Sequence, residues 1–286
     1  MHKNLTVASV SAALSALLVS SAIAEAESHA VPDEVIAAQR EALGTATKGM
    51  GYGPQSPRDI DAHEGRNRHG SRTAPAVTDM TLCDIHFHEN AEHKGGAFTT
   101  YAGNGDGNGY GTGFKYDGTL TQAELAPLDI RVGESEHGDL VPGDTIEIHF
   151  VYSTAQATLG PGLGTCFSDA IGNPQLRVEA VVGVLVAVGG ADFVEISTIE
   201  EISGLNQVPN LPGDLGEPVV YAGSTTGPSY NEKGSPFQVT WSVRPEVVKL
   251  DISSVDAWLK SNPFNEEHAH GVRNIVTNLD LLSQIN

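Results

Sequence analysis

The sequence predicts a mainly β fold: a single domain on a large twisted, mostly antiparallel central sheet with short peripheral helices. Segments rich in β-branched and aromatic residues, such as TIEIHFVY at Thr145–Tyr152, have the composition of strands. Loops rich in Gly and Pro separate these segments. The sequence contains neither an internal repeat nor a strong linker in mid-chain, so one domain accounts for it most simply.

The beginning of the chain has the features of a secretory signal. Lys3 is followed by an apolar run around Val10–Val19 and by the small residues Ala22 and Ala24, which form an A-x-A-like cleavage site. Serines interrupt the run, whereas a transmembrane helix needs about 20 apolar residues. We therefore predict a signal peptide at 1–24 and export to the periplasm or the extracellular space.

The rest of the chain is interpreted as an N-terminal arm at 25–50 and a folded domain at 51–286. The segment Gly95–Gly118 is so rich in Gly, Asn and Tyr that it fits only a loop or a hairpin insertion. The apolar run at Arg177–Val188 is typical of a strand buried on both faces. In chain order we predict a helix at Pro32–Leu43, strands at Thr81–His88, Leu128–Val132, Thr145–Tyr152, Arg177–Val188 and Phe237–Val243, and a helix at Ser253–Lys260 with Ser253 as its N-cap.

The chain is strongly acidic, with 36 Asp and Glu against 16 Lys and Arg. Nucleic acids and anionic membranes bind basic surfaces, so this charge argues against both as partners. No second apolar run is long enough to span a bilayer, and we expect no membrane insertion of the mature chain. The sequence carries no signal for the number of subunits.

Cys83 and Cys166 are the two cysteines of the chain. In an exported protein an even pair predicts one disulfide, and two buried thiols are the alternative. A bond between them would close a long loop and contribute a few kcal/mol to stability.

The stretch Cys83–Lys94, CDIHFHENAEHK, combines three histidines with three carboxylates. Successive side chains of a strand point to opposite faces, so His86 and His88 share one face and Phe87 lies on the other. The two imidazoles would supply two ligands of a metal site. A third ligand must come from elsewhere in the chain.

His149, on the strand predicted at Thr145–Tyr152, is the best third ligand. Three neutral imidazoles leave a fourth tetrahedral position for water, as in catalytic zinc sites. Glu147 lies on the same strand face and could accept the second N–H of a ligand histidine, which fixes the tautomer. His93 and Glu92 compete for the ligand positions.

These residues, with further motifs in the same order, resemble the carbonic anhydrases of the alpha type. HFH, the Glu92-His93 pair and E-x-H-x-V at Glu147–Val151 follow that family's pattern, and the block CDIHFHENAEHKGG looks most like the delta class. The resemblance covers about residues 51–275. The other matching segments are QSPRDID at Gln55–Asp61, AVVGVLVAVG at Ala180–Gly189, GSTTGPS at Gly223–Ser229 and VTWSV at Val239–Val243.

The resemblance implies reversible hydration of CO2 to bicarbonate and a proton, by attack of zinc hydroxide, in a catalytic domain at 51–286. Carried over residue by residue, it implies zinc held by His86, His88 and His149. Cadmium or cobalt can replace zinc in such a site. CO2 and bicarbonate would be the small-molecule substrates.

The resemblance also implies roles for residues around the metal. Glu147 would accept a hydrogen bond from a ligand histidine. Thr225 would accept one from the zinc hydroxide and give its own proton to Glu92. The loop that carries this threonine is one residue shorter than the S-L-T-T-P-P loop of the family, so Thr226 is the alternative to Thr225.

An apolar pocket for CO2 is implied beside the metal. Val151, with Val181 or Val182, would line it together with Thr226. No proton-shuttle histidine aligns with the family. By chemistry the candidates are His63, His69 and His137, with His268 and His270 interpreted as surface residues.

Two other functions fit part of the sequence. H-x-H-x3-E at His86–Glu92 and VPGDTIEIH, which ends at His149, fit the metal pattern of a cupin, whose three histidines and one glutamate suit iron or manganese in a dioxygenase or isomerase. In a cupin, Glu92 would be a ligand; in a carbonic anhydrase it would turn toward the threonine. The third possibility is a catalytically silent zinc-binding module of the same fold, but silence normally follows loss of a ligand.

Overall fold

The computed structural model describes residues 30–70 and 72–286. The predicted signal peptide at 1–24 and the first residues of the predicted arm lie outside this part of the chain. The helices are α1 (Asp33–Thr47), α2 (Phe193–Ile196) and α3 (Ile252–Leu259). The strands are β1 (Thr81–Glu89), β2 (Thr100–Asn104), β3 (Thr112–Lys115), β4 (Val132–Ser135), β5 (Gly138–Leu140), β6 (Thr145–Ser153), β7 (Leu176–Val186), β8 (Glu200–Ile202), β9 (Leu205–Gln207), β10 (Val219–Ser224) and β11 (Gln238–Asp251).

Five strands form the central sheet, in the order β1-β6-β7-β11-β10. Strands β7 and β11 are parallel, and the other neighbouring pairs are antiparallel, so the predicted mainly β fold on a mostly antiparallel sheet is confirmed. Strand β7 lies in the middle and is buried along nearly its whole length, which explains its continuous apolar sequence. Strand β11 extends past the predicted end at Val243, with a register shift against β7 between Val243 and Val247.

The central sheet separates two hydrophobic layers. Phe87, Ile148 and Phe150 pack in the core on one face, and Val151 packs in the core on the other face. Cross-strand neighbours share a face, and Val181 pairs with Ile148. Val181 therefore belongs to the layer of Ile148, and the prediction that it lines a pocket on the His149 face is wrong.

The elements outside the sheet include both confirmed and corrected predictions. The glycine-rich insertion forms the hairpin of β2 and β3. The first predicted helix is present as α1 and extends to Thr47. Helix α3 has Asp251 as its N-cap, because the Asp251 carboxylate accepts a hydrogen bond from Ser253 N, so the predicted N-cap Ser253 is wrong. The strand predicted at Leu128–Val132 is also misplaced, since β4 starts at Val132 and pairs there with Leu140.

A disulfide joins Cys83 of β1 to Cys166, as predicted, across a sequence separation of 83 residues. Closing a loop of this length in the unfolded chain stabilises the fold by roughly 4 kcal/mol in the chain-entropy account. The bond also anchors the short 3-10 turn at Leu163–Cys166 against the sheet. None of the described helices has both the length and the apolar composition that crossing a bilayer requires.

Candidate active site

Two neighbouring strands bring the three predicted metal ligands together. His86 and His88 share a face of β1, and the antiparallel register of β1 and β6 sets His149 directly opposite His86. Each ring offers one nitrogen to a cluster in which these atoms all lie within 4.8 Å of one another. Side chains directly opposite each other are close in any antiparallel pair, so the β1–β6 register creates the cluster.

Hydrogen bonds orient the two rings of β1. His86 Nδ1 lies 2.7 Å from Asp84 Oδ2, and His88 Nδ1 lies 3.0 Å from the carbonyl oxygen of Gly271. Both partners are acceptors, so each Nδ1–H donates. In the neutral form of each ring, Nε2 then carries the lone pair that a metal ligand requires.

In His149 the two ring nitrogens have exchanged roles: Nδ1 faces the cluster and Nε2 faces a carboxylate. Its Nε2 lies 3.0 Å from Glu147 Oε1, and its Nδ1 lies 3.2 Å from His86 Nε2. Glu147 Oε1 also accepts from His93 Nδ1 at 2.6 Å, and His93 Nε2 is 2.7 Å from the hydroxyl of Tyr221. Both nitrogens of His93 are therefore engaged, and His93 supports Glu147 instead of competing for the metal.

The surroundings shift the pKa values of these rings in different directions. Burial lowers the pKa of His88 well below its ordinary value and that of His149 to about 4. Burial also lowers the pKa of His86, but the hydrogen bond and charge of Asp84 outweigh it, so that this pKa is raised. His88 and His149 are thus neutral at pH 7, the form that coordinates a metal.

The cluster fits a zinc ion. His88 Nε2 is buried and has no hydrogen-bond partner, and such an unsatisfied group costs about 1–3 kcal/mol. A cation among the three rings would satisfy this atom. Three histidine nitrogens with a fourth position left open are the donor set of many catalytic zinc sites.

Glu92 lies behind the ligand rings. Its Oε1 is 3.6 Å from His88 Nδ1 and its Oε2 is 4.0 Å from His149 Nε2, the nitrogens that face away from the cluster. Its Oε1 also accepts a hydrogen bond from Arg273 N at 3.3 Å. A cupin site needs this glutamate as a ligand, so the arrangement does not match the cupin alternative.

The two threonines that follow β10 have different neighbours. Thr225 Oγ1 lies 2.7 Å from Ser235 Oγ, and Thr225 N donates to the carbonyl oxygen of Phe237 at 2.9 Å, which continues the strand pairing. Burial raises the pKa of Glu92, and a positive charge on His149 and the hydroxyl of Thr226 are among the groups that partly offset this. Glu92 Oε2 is buried and has no hydrogen-bond partner. These neighbours favour Thr226, the alternative that the sequence left open, over Thr225 as the threonine that acts with Glu92.

A cavity of about 390 Å³ opens over the histidine cluster, with one apolar wall and one polar wall. Val151 lies in the apolar wall. Its neighbour there is Val178, its cross-strand partner on β7, in place of the predicted Val181. The apolar wall is completed by Leu163, Val239 and Trp241, and the polar wall contains Asp84, Tyr110, Glu266 and His270, with Thr225 and Thr226 also lining the cavity.

A sequence model of the delta carbonic anhydrases matches residues 77–254. The match spans more than half of the chain and includes the three histidines, Glu92 and both threonines. The chain belongs to the delta carbonic anhydrase family. A search of curated proteins gave no match.

Solved structures similar to this chain include three carbonic anhydrases. The alpha-carbonic anhydrase of Thermovibrio ammonificans, in complex with the inhibitor sulfanilamide, is 18% identical with a TM-score of 0.28, and the comparison covers 79% of this chain and 84% of that one. The Photobacterium profundum alpha-carbonic anhydrase is 17% identical, with a TM-score of 0.26 and coverages of 84% and 94%. A hyperthermostable carbonic anhydrase from an active hydrothermal vent chimney is 16% identical, with a TM-score of 0.28 and coverages of 82% and 92%.

Asp84 lines the candidate site, although the sequence interpretation gave it no role. It is buried, holds His86 through Oδ2, and has no hydrogen-bond partner for Oδ1. The two-residue alternation that places His86 and His88 on one face also places Asp84 there. The signal was therefore present in the sequence.

His270, which the sequence interpretation placed on the surface, lies at the mouth of the cavity. Its ring centroid is 5.7 Å from that of His86, its Nε2 is 2.6 Å from Glu266 Oε2, and 46% of its side chain is exposed. His270 pairs with His88 through an isolated β-bridge and does not belong to a strand. Its segment therefore has no alternating pattern from which its position at the cavity could be predicted. His63 and His69 are exposed and do not line this cavity.

Proposed function

We propose that the protein is a zinc-dependent carbonic anhydrase that catalyses the reversible hydration of CO2 to bicarbonate and a proton. The observation that carries this proposal is the convergence of three histidine nitrogens at the base of a cavity, in a chain of the delta carbonic anhydrase family. His86, His88 and His149 would hold the metal. When bound there, zinc would act as a Lewis acid that brings the ionisation of water near neutral pH.

Each ligand ring has one nitrogen that does not face the metal position, and hydrogen bonds to these nitrogens would keep the rings in place throughout the reaction. Asp84, Gly271 O and Glu147 each accept from one ligand ring. Burial raises the pKa of Glu147, but the charges and hydrogen bonds of His93 and His149 outweigh it and hold this pKa well below its ordinary value. Glu147 therefore stays a carboxylate and keeps His149 in the tautomer whose Nδ1 faces the cluster.

Thr226 and Glu92 would orient the attacking oxygen. A threonine hydroxyl has one proton, and giving it to the buried carboxylate of Glu92 leaves its lone pairs toward the cavity. Thr226 would then accept a hydrogen bond from the water or hydroxide that attacks CO2. A lone pair on the oxygen of this nucleophile would thereby face the carbon of CO2. Fixing this direction before reaction removes part of the entropic barrier.

The apolar wall would bind CO2, which is small and uncharged. Val151 and Val178 offer it a surface that cannot compete for hydrogen bonds. Bicarbonate carries a charge and gains nothing from this wall, so the wall favours release of the product into water.

We also propose that the protein works outside the cytosol. The predicted signal peptide and the Cys83–Cys166 disulfide support this location, because disulfides persist in oxidising compartments.

A stopped-flow assay of CO2 hydration tests the proposed function. The zinc-loaded chain should accelerate hydration with kcat/KM above about 10⁴ M⁻¹ s⁻¹, within the usual range of enzymes. The same preparation after removal of the metal by a chelator is the control and should match buffer. Zinc-loaded protein that is no faster than buffer would contradict the proposal.

A further inference from the structure

The glycine-rich hairpin carries Tyr110 into the polar wall of the cavity. The hairpin closes through a turn in which Asp106 N donates to Tyr110 O at 3.0 Å. Gly105 has a φ of +57°, and a Cβ at this position would lie 1.9 Å from Tyr110 O, so glycine is required here. The ring of Tyr110 stacks on that of His137, with centroids 3.4 Å apart and planes 9° apart. The tyrosine is thus held on its own hairpin and against a neighbouring turn.

The tip of the hairpin packs against the backbone that holds a ligand histidine. Gly109 O accepts a hydrogen bond from Val272 N at 2.8 Å. Gly271 is in close contact with the tip, since a Cβ there would lie 3.1 Å from Gly109 O and 3.2 Å from Tyr110 Cε2. Gly271 O is the acceptor of His88 Nδ1–H. The hairpin therefore lies against the residue that aims His88.

Gly271 depends on neighbours because it has no side chain of its own. On its N-terminal side, His270 N donates to Phe87 O at 2.9 Å and Glu89 N donates to His270 O at 2.9 Å. On its C-terminal side, the hairpin tip provides the contact. Removing the ring of Tyr110 would remove the packing beside Gly271 and leave the hydrogen bond from Val272 N to Gly109 O alone to fix this side of a flexible residue.

Helix α1 holds the hairpin from the outside. Gln39 Nε2 donates to Gly107 O at 2.9 Å, and Gln39 Oε1 accepts from Asn274 Nδ2 at 2.6 Å. Val31 N, just before the helix, donates to Gly105 O at 2.8 Å. One glutamine thus ties the hairpin to the same C-terminal segment that contains Gly271.

We propose that Tyr110 is a positioning residue for the metal ligand His88, acting through Gly271, and that Gln39 of α1 extends this support from outside the cavity. The inference rests on the proposed function, since it concerns the ligand set that would hold zinc. It assigns the insertion and the N-terminal helix a part in building the site. Contacts that orient ligands in this way are worth about 10–100-fold in metal affinity when they act directly.

Zinc affinity, measured on the full chain by competition with a chromophoric chelator, tests the proposal. Tyr110→Ala should weaken zinc binding about tenfold, at the lower end of the range for supporting residues. Tyr110→Phe keeps the ring and should bind zinc within about twofold of the unchanged chain. Gln39→Ala should weaken binding by a smaller factor, roughly threefold, because it acts one contact further away.

Glu41→Gln is the matched control, because Glu41 is exposed on the same helix, and it should leave zinc affinity unchanged. Thermal unfolding of the metal-free variants shows which of them are folded. Folded Tyr110→Ala that binds zinc as tightly as the unchanged chain would overturn the inference, as would an equal loss in Tyr110→Phe. If the unchanged chain binds zinc tightly but does not hydrate CO2, the proposed function fails while this inference stands.

Discussion

Replacing His149 by alanine is expected to abolish tight zinc binding and CO2 hydration together. The substitution removes one of three nitrogen donors and leaves two rings of a single strand, which cannot enclose a tetrahedral ion. Residues that only support a ligand are worth about 10–100-fold in metal affinity, so loss of the ligand itself should exceed about 100-fold. Glu147 keeps its hydrogen bond to His93 in this variant, and the fold should survive.

The His149→Ala experiment has a control within the same chain. His63 is exposed and lies outside the cavity, so His63→Ala should keep the zinc content and the hydration rate of the unchanged chain. Zinc content is measured by atomic absorption after dialysis, and hydration by stopped flow. Full zinc occupancy in His149→Ala would show that the third ligand has been assigned to the wrong residue.

Thr226→Val should separate catalysis from metal binding. Valine has nearly the shape of threonine but no hydroxyl, so the nucleophile loses its orienting acceptor while the three histidines are untouched. Positioned polar groups of this kind are worth about 100–1,000-fold in rate. We expect kcat/KM for CO2 hydration to fall by about 100-fold, with zinc affinity unchanged.

Thr225→Val is the matched comparison for this variant. Its hydroxyl pairs with Ser235 and not with Glu92, so the loss in kcat/KM should stay below about threefold. A large loss in Thr225→Val with little change in Thr226→Val would restore the assignment that the sequence alone suggested.

The sequence predicted the parts of the site that depend on strand alternation. His86 and His88 share a face because they are two residues apart, and the same rule places Glu147 and His149 together. Only local geometry is needed for these assignments, so they could be made without knowing which strands are neighbours. Asp84 follows from the same rule.

The sequence interpretation was wrong where the face on which a side chain lies depends on how distant strands pair. Whether Val178 or Val181 faces the metal is decided by how β7 aligns with β6, and a shift of one residue exchanges the two faces. The choice between Thr225 and Thr226 depends on how far strand pairing continues into the loop after β10. His270 reaches the cavity through a single bridge to β1, and no pattern within its own segment could reveal this.

Zinc titration of the metal-stripped chain, followed by the initial rate of CO2 hydration, tests the central claim most directly. The rate should start at that of buffer, rise linearly with added zinc and level off at one equivalent per chain, because one cluster of three histidines holds the ion. Hydration that persists in the stripped chain, or that does not respond to one equivalent of zinc, would contradict the claim.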